Sequence, residues 1–300
     1  MRPGLFPAAA VVGSGRFANG VTVTVQHVRL CMIGNSHVAA LRQGWDLAAP
    51  EFPGIDATIF GQHARGLITA AVSEQGALST RTGPFLSFRA GDPPARAPVI
   101  ALPDYDAFVL VGCDFGSQAV FHTYMAYHFS GLKSRQGRAL SREVFKRVAL
   151  KRLLDSAAFL LAGLIEDTVQ KPILVMPMPL PAESGYDDPD MPHMAPYRDA
   201  RQLGDFPALL AIYHDICAEL SGQGLAQVHQ PPDTLVDGLA TRDELCRGSV
   251  RLRPDTGSPH PANDYFHMNA QYGAIMWREA IRVLGEPADG SLLRAGLPAP

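Results

Sequence analysis

Four cysteines in 300 residues, Cys31, Cys113, Cys217 and Cys246, stand far apart and form no Cys-x-x-Cys pair. That scarcity excludes a disulfide framework and the paired-thiolate spacing of a zinc site; it suits a reducing compartment, so the expected location is cytoplasmic. An excess of basic charge is lacking too. Lys and Arg number 26 against 29 Asp and Glu, with no dense basic stripe, so nothing is built to neutralise a phosphate backbone and nucleic acid is not an expected partner. The apolar stretch 157–165 continues a segment that carries Lys146, Arg147, Lys151, Arg152 and Asp155. It falls far short of the ~20 apolar residues that cross a bilayer, and no membrane segment is expected. Only Arg2 precedes the first Ala/Val run, which Gly13, Ser14 and Gly15 interrupt, a poor secretory signal. Residues 1–27 are therefore expected to form a flexible extension and 286–300 a tail. Internal repeats and low-complexity tracts are absent as well.

What is present is core material. Hydrophobic residues make up 47% of the chain and charged residues 18%, a balance that folds rather than stays disordered. α/β folds of roughly 250 residues form one core, so 28–285 is expected to be a single domain. Strands of a doubly wound sheet read as short continuous apolar runs because helices cover both faces. Such runs occupy 28–33 before Gly34, 55–60 before Gly61, 107–111 before Gly112 and 173–176 before Pro177, with 225–228 a weaker fifth. Helical periodicity falls on 38–47, 141–169, 206–220 and 270–284. The alternation predicts an α/β fold: a parallel sheet of about five strands, right-handed crossovers and a ligand site beyond the strands' carboxyl ends. Two proline-rich stretches, 83–103 and 176–196, read as long loops, of the kind that form lids or binding walls.

Two short motifs carry chemistry. Gly34-Asn35-Ser36-His37 joins the first strand to the first helix, which sets a serine hydroxyl at the sheet's carboxyl edge beside the amides of a helix N-terminus. The competing reading is a helix cap. Asp264-Tyr265-Phe266-His267 precedes the last helix; a spacing of three lets one turn present a carboxylate and an imidazole together, the carboxylate fixing the ring so that its other nitrogen takes a serine proton. Here the competing reading is a surface loop with a capping aspartate.

On these two motifs the chain resembles the SGNH or GDSL-like hydrolases, a superfamily of esterases, lipases and carbohydrate deacetylases built as a three-layer α/β/α sandwich with a flavodoxin-like sheet. The resemblance implies that Ser36 is the nucleophile and that Asp264 and His267 are its partners. It implies an oxyanion hole from the amides of Ser36 and Gly61, with a third donor from an Asn after the next strand. Cys113 stands in that place, and a thiol donates weakly; one missing donor typically costs about 10² to 10³ in turnover. Gln62, His63 or His122 are candidate substitutes, or Asp114 reorganises the site. Asn35, His37, Gln62 and Asp114 are the expected substrate-binding residues. The larger α/β-hydrolase pattern, Gly-x-Ser-x-Gly, fails because position 38 is Val.

The expected reaction is hydrolysis of a small ester through an acyl-enzyme, with O-acetyl groups on a carbohydrate as the first substrate class. Met178, Tyr186 and Tyr197 are candidates to stack on a sugar or line an acyl pocket. The alternatives are a weakened or inactive binding protein of the same fold, and an acyltransferase to a sugar or alcohol. Asp187, Asp188, Asp190 and His193 form an acidic cluster that reads as a solvated loop, so neither metal nor cofactor is expected. The expected partner is a small-molecule ester, and nothing in the pattern specifies an oligomeric state.

Overall fold

The apolar runs become strands because both of their faces are covered. In the computed structural model, which describes residues 27–254 and 257–285, they form β1 (Val28–Gly34), β2 (Ile55–Gly61), β5 (Ala107–Val111), β6 (Ile173–Met176) and β7 (Ala226–Gln227), with β3 (Phe85–Arg89) and β4 (Ala95–Ala97) added at one edge. All but the last residue of the expected N-terminal extension, and the expected tail, lie outside the described residues. The sheet order is β7-β6-β5-β1-β2-β3-β4. β1 pairs in parallel with β2 and β5, and β6 in parallel with β5 and β7. β3 and β4 run antiparallel. The chain leaves β1 toward β2 on one side and returns to β5 on the other, so the topological switch point lies at the carboxyl end of β1.

Alternate side chains of each strand enter opposite layers. Cys31, Ile33, Phe108, Leu110, Ile173 and Val175 pack into one core; Leu30, Met32, Val109, Val111, Leu174 and Met176 pack into the other. The first core holds α2 (Gln118–Tyr124), α3 (Arg142–Leu154), α4 (Ala157–Val169), α5 (Ala195–Leu203) and α6 (Phe206–Gly222); the second holds α1 (Val38–Ala48) and α7 (Ala270–Gly285). The result is a three-layer α/β/α sandwich around a five-strand parallel centre. Trp45 of α1 packs at a tilt against Trp277 of α7 with ring centroids 4.2 Å apart, and the Trp277 indole donates to the Leu41 carbonyl at 2.7 Å.

Three sequence expectations change. The helix expected over 141–169 is two helices, because Asp155 and Ser156 interrupt it: Ser156 is extended, with ψ 158°, as short polar residues that compete for backbone bonds favour. The loop expected over 83–103 carries β3 and β4; its prolines at 84, 93, 94 and 98 flank these strands rather than interrupt them, as proline at a sheet edge does. The loop expected over 176–196 contains short 3₁₀ turns at Glu183–Asp187 and Pro192–Met194 and then enters α5. No helix among the described residues is long and apolar enough to cross a membrane.

Candidate active site

β1 ends at Gly34 and α1 begins at Val38, so Asn35, Ser36 and His37 form a turn at the switch point. The carbonyls of Asn35 and Ser36 accept the amides of Val38 and Ala39. The cap position of α1 is His37, with no side-chain cap bond, so the Ser36 hydroxyl is not used as a helix cap. Its partner is His267: Oγ lies 2.8 Å from Nε2 across 231 residues of sequence. No described residue accepts the amide N–H of Ser36.

The turn that carries His267 is fastened from several sides. The Cys246 thiol donates to the Asp264 carbonyl at 2.9 Å and faces the His267 carbonyl at 3.2 Å. Asn269 donates to the carbonyls of Glu244 and Arg247 and caps α7 by accepting from the amides of Gln271 and Tyr272. The amide of Ala182 donates to the Tyr265 carbonyl at 2.8 Å, and the Tyr265 hydroxyl donates to Asp188 at 2.8 Å. Held this way, His267 Nδ1 lies 2.8 Å from Oδ2 and 3.0 Å from Oδ1 of Asp264. A carboxylate only accepts, so Nδ1 carries the proton and Nε2 is free to accept the serine hydroxyl.

Asp264 is densely satisfied. Oδ1 accepts the amides of Phe266 and His267, each at 3.1 Å, and Oδ2 also meets His260 Nδ1 at 2.8 Å. Burial alone would raise its carboxyl, but the bonds from His260 and His267 outweigh that and hold it well below the usual carboxylate range. The His260 ring stacks on His267 at 4.0 Å and 9°, while His37 stacks on it at 5.2 Å and 22°. Burial, reinforced by the neighbouring His267, pushes His37 down to about 3. His260 is a site residue that sequence reasoning missed. Its signal was a spacing of four before Asp264, in a stretch without periodicity.

The other expected site residues are placed as follows. Cys113 is not available as an oxyanion donor: its thiol is fully buried, donates to the Val111 carbonyl at 3.4 Å and faces the Ile33 carbonyl at 3.7 Å. Gly112, Cys113 and Asp114 all have positive φ, and this sharp left-handed turn sends the thiol inward while Asp114 emerges. Burial, with the Asp114 charge, pushes the thiol up to about 12. Asn35 is buried, and its Oδ1 accepts the His37 amide at 3.3 Å; a β-carbon on Gly112 would lie 2.6 Å from that oxygen. Asn35 is thus packed into the scaffold, while His37 is half-buried beside a small cavity that Met268 and Tyr272 also line. Gln62 is likewise committed, its amide donating to the carbonyls of Gly83 and Pro84. His63 caps the helical turn Ala64–Leu67 through Nδ1, and His122 has Arg152 and His193 as its charged neighbours.

Gly61 pairs in register with Gly34, and a β-carbon there would meet Leu252 at 2.4 Å. Asp114 is exposed; partial burial raises its carboxyl while the charge of His63 acts the other way. Tyr186 and Tyr197 are buried in the aromatic core against Phe206, and Met178 is buried too, so none offers a sugar-stacking face.

Among the described residues one group, His260, Asp264 and His267, brings metal-ligating atoms within 4.8 Å of one another. A metal bound to an imidazole lies in the ring plane at about 2.1 Å. Two rings stacked at 9° and 4.0 Å have planes that do not meet at that distance, so hydrogen bonding, not coordination, fits this cluster. The 187–193 acidic cluster does not converge: Asp188 is engaged by Tyr265 and the Asp190 amide.

No family model matches the chain, and no curated protein matches it. A crystal structure of a DUF4886 family protein from Bacteroides uniformis is similar at 11% identity, over 85% of this chain and 83% of that one, with a TM-score of 0.43, too remote a likeness to bear on function.

Proposed function

We propose that this chain is a serine hydrolase of the SGNH kind that cleaves a small ester through an acyl-enzyme. The observation that carries the reading is the 2.8 Å approach of Ser36 Oγ to His267 Nε2, with Asp264 on the ring's other nitrogen. Ser36 Oγ attacks the ester carbonyl carbon as its proton passes to Nε2, and Asp264 holds Nδ1–H and balances the imidazolium. The oxyanion is met by the Ser36 amide, with Gly61 as the expected second donor. The proton then passes to the departing alkoxide, and a water deprotonated by the same imidazole releases the acid. O-acetyl groups on a carbohydrate remain the first substrate class, and four unpaired buried cysteines suit a reducing compartment.

A second reading, a slow or non-catalytic binding protein, draws on one observation: the Cys113 thiol, which stands where the third oxyanion donor is expected, is buried against the Val111 and Ile33 carbonyls. Acyl transfer to an alcohol uses the same triad and differs only in the acceptor. Incubation of folded protein with a fluorophosphonate separates these readings. An adduct on Ser36, abolished in Ser36→Ala, supports a hydrolase or transferase; no adduct on folded protein overturns the hydrolase. Product analysis with and without an added alcohol then distinguishes water from a sugar as acceptor.

A further inference from the structure

Asp264 serves two imidazoles through one oxygen. His267 Nδ1 and His260 Nδ1 both lie 2.8 Å from Oδ2, and the two rings stack at 4.0 Å with planes 9° apart. The His260 side chain is 9% exposed, and its Nε2 makes no hydrogen bond among the described residues. A carboxylate only accepts, so His260 Nδ1 carries a proton and donates it to Asp264. His37 lies against His267 as well, at 5.2 Å, so the ring beside Ser36 is flanked by two further imidazoles.

We propose that His260 is a positioning residue that sets the plane and the proton affinity of His267 through their shared partner Asp264. This rests on the serine-hydrolase reading for its kinetic consequence but not for its structural one. Rotation of His267 about its ring axis collides with the stacked His260, so Nε2 is held toward Ser36. A proton donated by His260 to Oδ2 draws on the same negative charge that stabilises a protonated His267. Removing that donor concentrates the carboxylate's charge on His267 and makes it more basic. The other charged or titratable groups around the pair are His37 from the turn before α1, and Asp243, Cys246 and Arg247 from the segment that lines the cavity of about 330 Å³ behind Asp264.

Two variants separate the two roles. His260→Phe keeps a stacked ring and loses the donor; His260→Asn keeps a donor near the Nδ1 position and loses the ring. The readouts are the NMR titration of the His267 ring proton, which needs no substrate, and the pH profile of kcat/KM on a p-nitrophenyl ester. In His260→Phe the His267 titration and the acid limb of the profile are expected to move to higher pH by about 0.5 to 1 unit. In the Asp264→Asn background the same substitution leaves the titration in place. In His260→Asn the limb stays and kcat falls about tenfold through loss of alignment. A titration of His267 that is identical in wild type and His260→Phe overturns the inference, whether or not Ser36 reacts with a fluorophosphonate. Absence of that adduct with a shifted titration overturns the hydrolase reading alone.

Discussion

Gly44 of α1 and Gly273 of α7 face one another across a helix crossing with no room for a side chain: a β-carbon on Gly44 would lie 2.3 Å from the carbonyl carbon of Gly273, and one on Gly273 would lie 1.9 Å from the carbonyl oxygen of Ala40. The two helices begin at the two halves of the candidate site, α1 just after Ser36 and α7 just after His267. Their close approach is therefore what brings a serine near the start of the described chain against a histidine near its end.

Substitution of Gly273 by Ala tests that dependence. The added carbon meets backbone, which cannot rotate away, so the helices must separate. Overpacking of this sort costs ~1–3 kcal/mol, and a displacement of about 1 Å between reacting groups costs about 10² in rate. Gly273→Ala is expected to lower both Tm and kcat/KM, measured by thermal denaturation and ester hydrolysis. An unchanged Tm would show that the helices tolerate separation.

Asp264→Asn is the sharper test of the hydrogen-bond order. The amide offers its own N–H to Nδ1 and so favours the ring tautomer that points a proton at Ser36. Loss of the correct tautomer costs serine hydrolases roughly 10⁴ in turnover. The carboxyl of Asp264 is held below its ordinary range in the fold, so the stability it contributes is present above about pH 4 and is lost as pH falls further. The stability gap between wild type and Asp264→Asn, read by urea unfolding, is expected to narrow on acidification. A gap that widens at low pH contradicts this account.

How much of this was legible in sequence follows from what each signal depends on. The five parallel strands were readable because continuous apolar runs between glycines are what two-sided burial demands. β3 and β4 were hidden by prolines that lie outside them, at 84, 93, 94 and 98. Ser36, Asp264 and His267 stood out because each belongs to a short local motif, and the structure brings the three together. The fates of Asn35, Gln62 and Cys113 depend on which carbonyls and amides their side chains meet after folding, and no local pattern encodes that. His260 was invisible for the same reason: its role arises from a ring stack formed in irregular chain.

His37 gives the fold its own acid sensitivity. Burial pushes it down to about 3, so the folded protein stays unprotonated there, whereas the unfolded chain binds that proton near the ordinary value of about 6.5. Between those two values the unfolded state holds more protons, and stability falls as pH falls, by at most ~1.4 kcal/mol per pH unit for one site. His37→Phe keeps a ring beside His267 and removes this term. Urea midpoints from about pH 7 to about pH 4 are expected to drop less steeply in the variant than in wild type. Parallel slopes would mean that other groups govern the acid limb.

Asp114 tests the third oxyanion position, which the resemblance to SGNH hydrolases places in the turn after β5. It emerges from the left-handed turn after β5 on one side of β1, while His63 follows β2 on the other, and the two charges act on each other. If that turn faces the oxyanion as the resemblance implies, a carboxylate there opposes the negative charge that develops on the substrate carbonyl and a neutral donor favours it. Asp114→Asn supplies an N–H of the same reach without the charge. It is expected to raise kcat about tenfold to 10²-fold with little change in KM, toward the contribution of one oxyanion donor. Asp114→Ala removes the charge without adding a donor, so it should gain less than the Asn variant. The measurement is steady-state hydrolysis of a p-nitrophenyl ester by all three proteins. If both variants lose activity through KM instead, the carboxylate is a substrate contact that accepts hydrogen bonds from hydroxyl groups, which is what a carbohydrate ester presents.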